Sequence, residues 1–200
     1  IGISAGGAGG TAAAIMAAGT EEQKNYFIPG IINGDINFCQ GFTEPSGGAD
    51  LASLQCRAVI DGDDFIVNGQ KIYTSGAHAA THVYLMVRTD PEAPKHRGIS
   101  ILLVPMDTPG ITIRPLYSIQ NDPPAPMGTT YGHKKTNETF YENVRVSKSA
   151  LLGEVNMGWY VGAMGLNLDR VGASRYLLSV RRDEDIINWM KNKKLGEYDI

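Results

Sequence analysis

Along the 200 residues the spacing of apolar positions changes character twice. Ile1 to Ala18 is apolar but built largely of glycine and alanine, and Thr11 and Gly19 stand where caps would bound a short helix. Thr20 with Gln23 makes a capping box for a second helix through about Phe27, which Pro29-Gly30 is expected to stop. From about Asn37 the period becomes two: Leu54, Cys56, Ala58 and Ile60 alternate with Gln55, Arg57 and Val59. Asp61-Gly62 turns the chain, Phe65 to Val67 returns, and Asn68-Gly69 signals another turn before Lys71 to Thr74. Val83 to Val87 and Ile99 to Val104 are near-continuous apolar runs, as strands covered on both faces require. Ile111 to Arg114 and Thr139 to Val146 complete the set.

Near Met157 the period returns to that of a helix. Trp159, Ala163 and Leu166 form one stripe, and Tyr160, Met164, Leu168 and Val171 a second, which predicts burial over much of the circumference. The helix is expected to run to about Arg182, or on to Met190. The expected fold is therefore α+β. A central antiparallel β-barrel or sandwich occupies 37–150, with short helices before it (1–36) and a long helix after it (151–200). The Pro- and Gly-rich stretch Ser118 to Lys135 reads as a long loop, and Leu195-Gly196-Glu197 as a short one.

A net charge of −3 gives no electrostatic case for nucleic acid or an anionic membrane surface. The apolar N-terminus has no basic flank and is too short in continuous hydrophobicity to span a bilayer. With no initiating methionine, the chain is expected to be part of a longer protein. Cys39 and Cys56, the only cysteines, lie in apolar or alternating segments and read as buried thiols of a reducing compartment, so a cytoplasmic location is expected. His78 and His82 have a metal-like spacing, but in a loop running into a strand with no carboxylate beside them; no metal is expected. His96, His133, Lys95 and Arg97 read as solvated, and Asn137-Glu138-Thr139 as a chance glycosylation triplet.

The chain is organised around Phe38 to Leu51, where an apolar run stops at Thr43-Glu44-Pro45 and is followed by Gly47, Gly48 and Asp50. Pro45 biases Glu44 towards an extended conformation, and the two glycines permit close approach to the backbone. The residues alone leave two readings open: a surface turn, or a loop presenting N–H groups and the Thr43 hydroxyl to a planar or anionic ligand. The stretch resembles the Thr-Glu-Pro-x-x-Gly-x-Asp signature of acyl-CoA dehydrogenases. Three further blocks follow in that family's order: Asn68 to Ala77, Gly98-Ile99-Ser100 leading to Pro109-Gly110-Ile111, and Leu152 to Trp159.

The resemblance implies the end of an N-terminal helical domain (1–36), the middle β-domain (37–150) and the start of a C-terminal helical domain (151–200). It makes 118–135 look like an insertion. It implies FAD as cofactor, with Phe42, Thr43, Gly48, Tyr73 and Ser75 on the flavin. Tyr73 stands where the family commonly has Trp against the isoalloxazine, and Ser75 where a hydroxyl faces N5. Ala49, Asn167 and Arg170 would lie by the acyl-CoA, Ala49 at a position where many relatives have Ser. The implied reaction is α,β-dehydrogenation of an acyl-CoA thioester: a carboxylate takes the α-proton, hydride passes to FAD, and electrons go on to an electron-transfer flavoprotein. The full-length protein is expected to be a homo-oligomer or heteromer.

Asp169 is the candidate base. At helical spacing it shares a face with Gly165, Gly172 and Ala173, which fits either a ligand-facing wall or a solvated surface. One subgroup of the family carries its catalytic carboxylate on this helix, just before an Arg that Arg170 matches; others carry it far downstream. That subgroup usually has Glu, so Asp leaves three readings: a base of altered reach, a base elsewhere, or a silent subunit. An acyl-CoA oxidase or flavin monooxygenase of the same superfamily is the remaining alternative.

Overall fold

In a computed structural model the chain is described over residues 8–116, 136–171 and 173–192. Two helices, α1 (Ala8–Ala18) and α2 (Glu21–Asn33), precede seven strands. These are β1 (Phe38–Gly41), β2 (Arg57–Asp61), β3 (Asp64–Lys71), β4 (His82–Arg88), β5 (Ile99–Pro105), β6 (Ile111–Pro115) and β7 (Asn137–Ser147). Helices α3 (Gly158–Val171) and α4 (Ala173–Asn192) follow. The loop expected over 118–135 and the turn at 195–197 lie outside the described residues, as does Gly172.

All seven strands join one sheet in the order β1-β4-β2-β3-β7-β6, with β5 on the other side of β4. Most pairings are antiparallel, as expected, but β1 and β2 both meet β4 in parallel, so the sheet is mixed. The two share one edge of β4 in succession. β1 runs from Phe38 opposite His82 to Gly41 opposite Leu85, and β2 takes over at Arg57 opposite Arg88. Between them the chain must leave the sheet and return, and that excursion is the Thr43-Glu44-Pro45 loop.

β4 and β5 are buried on both faces. Val83, Leu85, Val87, Leu102 and Val104 enter one core with Phe65, Val67, Tyr141 and Val144 of β3 and β7. Tyr84, Met86, Ile99, Ile101 and Leu103 enter a second, with Ala14 and Ile15 of α1, Phe27 of α2 and Val161 of α3. Strict alternation thus makes β4–β5 the shared wall of two apolar layers.

Five local expectations are corrected. Thr11 is not a cap: it lies inside α1 with its side chain fully buried. Pro29 does not end α2. The helix continues to Asn33 and closes at Gly34 in the left-handed conformation, because Pro29 is on the exposed side while Gly30 packs on Ile36. Asn68-Gly69 is not a turn but a bulge within β3. A Cβ at Gly69 would lie 2.7 Å from Cys56 Cα, and Asn68 instead pairs its amide with that of Asn143 on β7. Ile60, expected inward, is exposed. Finally, Tyr160 and Met164 are exposed, and α3 buries Gly158, Val161, Gly162 and Gly165 instead. The glycines let α3 lie directly on β5 and α1: a Cβ at Gly158 would sit 2.5 Å from the Ser100 carbonyl carbon, and one at Gly165 3.0 Å from the Gly10 oxygen.

Candidate functional site

The loop leaving β1 is fixed from below by a buried ion pair. Glu44 accepts from Lys71 Nζ at 2.8 Å and from the backbone N–H groups of Gln55 (2.6 Å) and Cys56 (2.8 Å). Lys71 Nζ also donates to the Phe42 carbonyl at 3.1 Å, and its side chain is fully buried. Each charge is matched by its partner and further hydrogen-bonded to backbone, the condition under which such a pair survives burial. Above it, Glu44 and Gly47 exchange backbone bonds across Pro45-Ser46. The far limb of the loop is held by Arg88, whose guanidinium donates to the carbonyls of Ala52, Leu54 and Lys95. Burial lowers the pKa of Arg88, with Glu44 and Asp90 opposing.

The second loop follows β3. Ile72 N–H donates to the Thr43 carbonyl at 2.9 Å and so ties the two loops together. Tyr73 then takes φ +58, a left-handed conformation that costs a non-glycine residue energy, and the residue is 62% exposed. Thr74 turns inward, its N–H on the Asn137 carbonyl and its hydroxyl 3.4 Å from that of Thr139. Ser75 is exposed again.

The structure therefore joins the loop that carries Thr43 and Gly48 to the loop that carries Tyr73 and Ser75. Thr43 is half-buried, and Gly48 and Ala49 are exposed. Phe42 differs: its ring is buried 5.4 Å from Tyr84, so this residue offers a ligand backbone only. Asn167 is exposed on α3. Asp169 and Arg170 belong to the same helix, but their side chains lie outside the described residues. The Gly165 face, expected as room for a ligand, is filled by α1 at that level.

An exposed aromatic ring in a strained backbone conformation, beside a free hydroxyl and a loop with a glycine, fits a planar heteroaromatic group such as a flavin. The charged residues behind this surface, Glu44, Lys71 and Arg88, were missed as site residues. One signal for them was present: Lys71 continues the inward series Phe65, Val67 along β3, and a lysine on the buried face of a strand needs a partner.

Other candidate groups lie elsewhere. Both thiols are free and buried; burial pushes Cys39 up to about 12 and Cys56 to about 11. His78 Nδ1 lies 3.2 Å from Asn137 Nδ2 and His82 Nδ1 3.0 Å from Thr81 Oγ1. Among the described residues no three His, Cys, Asp or Glu side chains gather as a metal ion would need. An open cleft of about 490 Å³ lies between α2 and the His82 end of β4, lined by Tyr26, Phe27, His82, Val104 and Val146. It is at the opposite end of the β1–β4 ladder from Thr43. Among the described residues no helix is long and apolar enough to cross a membrane.

Residues 39–131 match the family profile for the acyl-CoA dehydrogenase middle domain. The acyl-CoA dehydrogenase FadE29 of Mycobacterium tuberculosis is 45% identical over 157 residues, which are 78% of this chain and 38% of the relative. Among solved structures, the Tcur3481-Tcur3483 steroid ACAD superposes with a TM-score of 0.77 at 41% identity, over 95% of this chain and 47% of that one. A Mycobacterium smegmatis glutaryl-CoA dehydrogenase in complex with FADH2 gives 0.66 at 31% identity, over 81% and 38%. The chain thus spans less than half the length of each of these three proteins.

Proposed function

From a chain that belongs to the acyl-CoA dehydrogenase family and carries its middle domain, we infer that the full-length protein is an FAD-dependent oxidoreductase acting on the CH–CH bond of an acyl-CoA thioester. The observation that supports this reading is the pair of loops joined by Ile72 N–H and the Thr43 carbonyl, one carrying half-buried Thr43 and the other exposed Tyr73 and Ser75. Tyr73 forms an aromatic wall for the cofactor ring. Thr43 and the backbone near Gly48 hydrogen-bond its polar edge, and the Ser75 hydroxyl donates to it. FAD, when bound, supplies the two-electron acceptor. Asp169 takes the substrate's α-proton on its carboxylate, and Ala49, Asn167 and Arg170 line the acyl-CoA. In this reading residues 1–36 close a helical domain, 37–150 form the middle domain and 151–200 begin a second helical domain. Electrons leave to an electron-transfer flavoprotein, and the protein works in the cytoplasm.

A second reading makes this chain the silent member of a two-chain enzyme. The two-part name of the Tcur3481-Tcur3483 neighbour favours it, as does Asp169 where the family's helix-borne base is usually Glu. One experiment separates the two. The full-length protein, purified with and without any co-purifying chain, is mixed anaerobically with a panel of acyl-CoA thioesters while flavin absorbance is followed. An active subunit bleaches its own flavin, and Asp169→Asn retains FAD but abolishes bleaching. Bleaching that continues unchanged in the Asn variant places the base elsewhere, and bleaching that requires a second chain makes this one the silent partner.

A further inference from the structure

We propose that the buried Glu44–Lys71 pair is a positioning element that sets the distance between the Thr43 and Tyr73 loops, and so tunes how tightly the domain holds the flavin ring; this rests on the functional reading above. Three separate stretches of the chain meet at the pair. Glu44 reaches Gln55, Cys56 and Lys71, and Lys71 also reaches Phe42. Phe42 and Glu44 flank Thr43, so fixing both leaves the Thr43 carbonyl aimed at Ile72 N–H at 2.9 Å. Lys71 immediately precedes Ile72, so one ammonium fixes both partners of that bond. The next residue is Tyr73 at φ +58, a conformation that persists only where its surroundings over-determine it.

Stability alone does not account for the pair. Two opposite charges in an apolar core cost desolvation, and apolar side chains of similar volume commonly serve stability as well or better. What apolar packing does not provide is direction. Ion–carbonyl and carboxylate–amide bonds fix donor and acceptor to within a few tenths of an ångström and in angle. A binding constellation needs that tolerance in its supporting residues. The pair is buried whereas Tyr73 and Ser75 are exposed, so its effect on a ligand passes through the loops.

The test uses the full-length holoprotein. FAD affinity is measured by titrating apoprotein, and the visible circular dichroism of bound flavin reports its seating, for Glu44→Gln, Lys71→Met, the double variant and Thr20→Ala. The last is a stability control on α2, across the molecule from the loops. We expect Lys71→Met and the double variant to bind FAD about tenfold or more weaker with an altered dichroism. Glu44→Gln shifts in the same direction by less, and Thr20→Ala leaves both readouts unchanged. Should Lys71→Met not fold, Glu44→Gln and the double variant decide. Variants that lose thermal stability yet keep wild-type affinity and dichroism overturn the proposal and leave the flavin reading standing. A full-length wild type that binds no FAD overturns both.

Discussion

The strands β4 and β5 place side chains in both cores, whereas β2, β3 and β7 give only one face to a core. In the first pair every residue from His82 to Arg88 is buried. On the second ladder the outer face carries Ile66, Asn68, Glu142, Asn143 and Arg145, and Arg145 bridges Asp61 and Asp64 in solvent. Apolar packing on both faces therefore dominates β4–β5, with Arg88 adding bonds at the end of β4, while the single-sided ladder relies more on directional contacts: the Asn68–Asn143 amides at the bulge and Lys71 at the terminus of β3. The candidate site lies where these two regimes meet, at the edge of β4 that passes from β1 to β2. Loops attached there gain a rigid base from the double-covered wall and their geometry from polar contacts.

The sharpest way to break this comparison is Lys71→Met, which strands the buried Glu44 carboxylate; a loss of about 3–5 kcal/mol in urea unfolding is expected. A loss below about 1 kcal/mol would mean that the single-sided ladder does not depend on its terminal polar contacts. Ile101→Ala, in the double-covered wall and fully buried, should cost about 2–5 kcal/mol in the same assay. Its counterpart Val59→Ala, half exposed on the single-sided ladder, should stay within about 0.5 kcal/mol. Equal losses at the two positions would erase the distinction between the regions. Thr20→Ala removes the hydroxyl that accepts Gln23 N–H at 3.2 Å in the capping box, and should cost about 1 kcal/mol.

The smallest effect concerns His82 at the start of the wall. Burial lowers its pKa below 6.5, with Asp107 opposing, and its faces meet Tyr26, Phe27 and Phe38. A depressed folded-state value means the unfolded chain takes up the proton first. The stability from neutral His82 is complete above about pH 6.5. It is lost as pH falls through the lower folded value. Urea midpoints from pH 7.5 to 5 should fall for the wild type more steeply than for His82→Gln. Parallel slopes would show that the protonated ring is accommodated in the fold.

The period-two alternation determined the inward positions Leu54, Cys56 and Ala58, failing at Ile60, and the continuous apolar runs determined that β4 and β5 are covered on both sides, because burial of a face is written in side-chain polarity. The capping box at Thr20 and the turn at Asp61-Gly62 are equally local, with donor, acceptor and glycine within a few residues of one another. The family motif marked Thr43, Gly48, Tyr73 and Ser75. What the sequence did not determine was everything set by a neighbour distant along the chain. Asn68-Gly69 has the composition of a turn, and only the presence of Cys56 behind it and Asn143 beside it makes it a bulge. Gly165 suggested space for a ligand until α1 filled it. Parallel pairing of β1 and β2 on one edge of β4, and the meeting of Glu44 with Lys71 27 residues later, depend on how the strands are ordered in space. Local polarity specifies a residue's need for a partner; the tertiary fold alone decides which partner meets it.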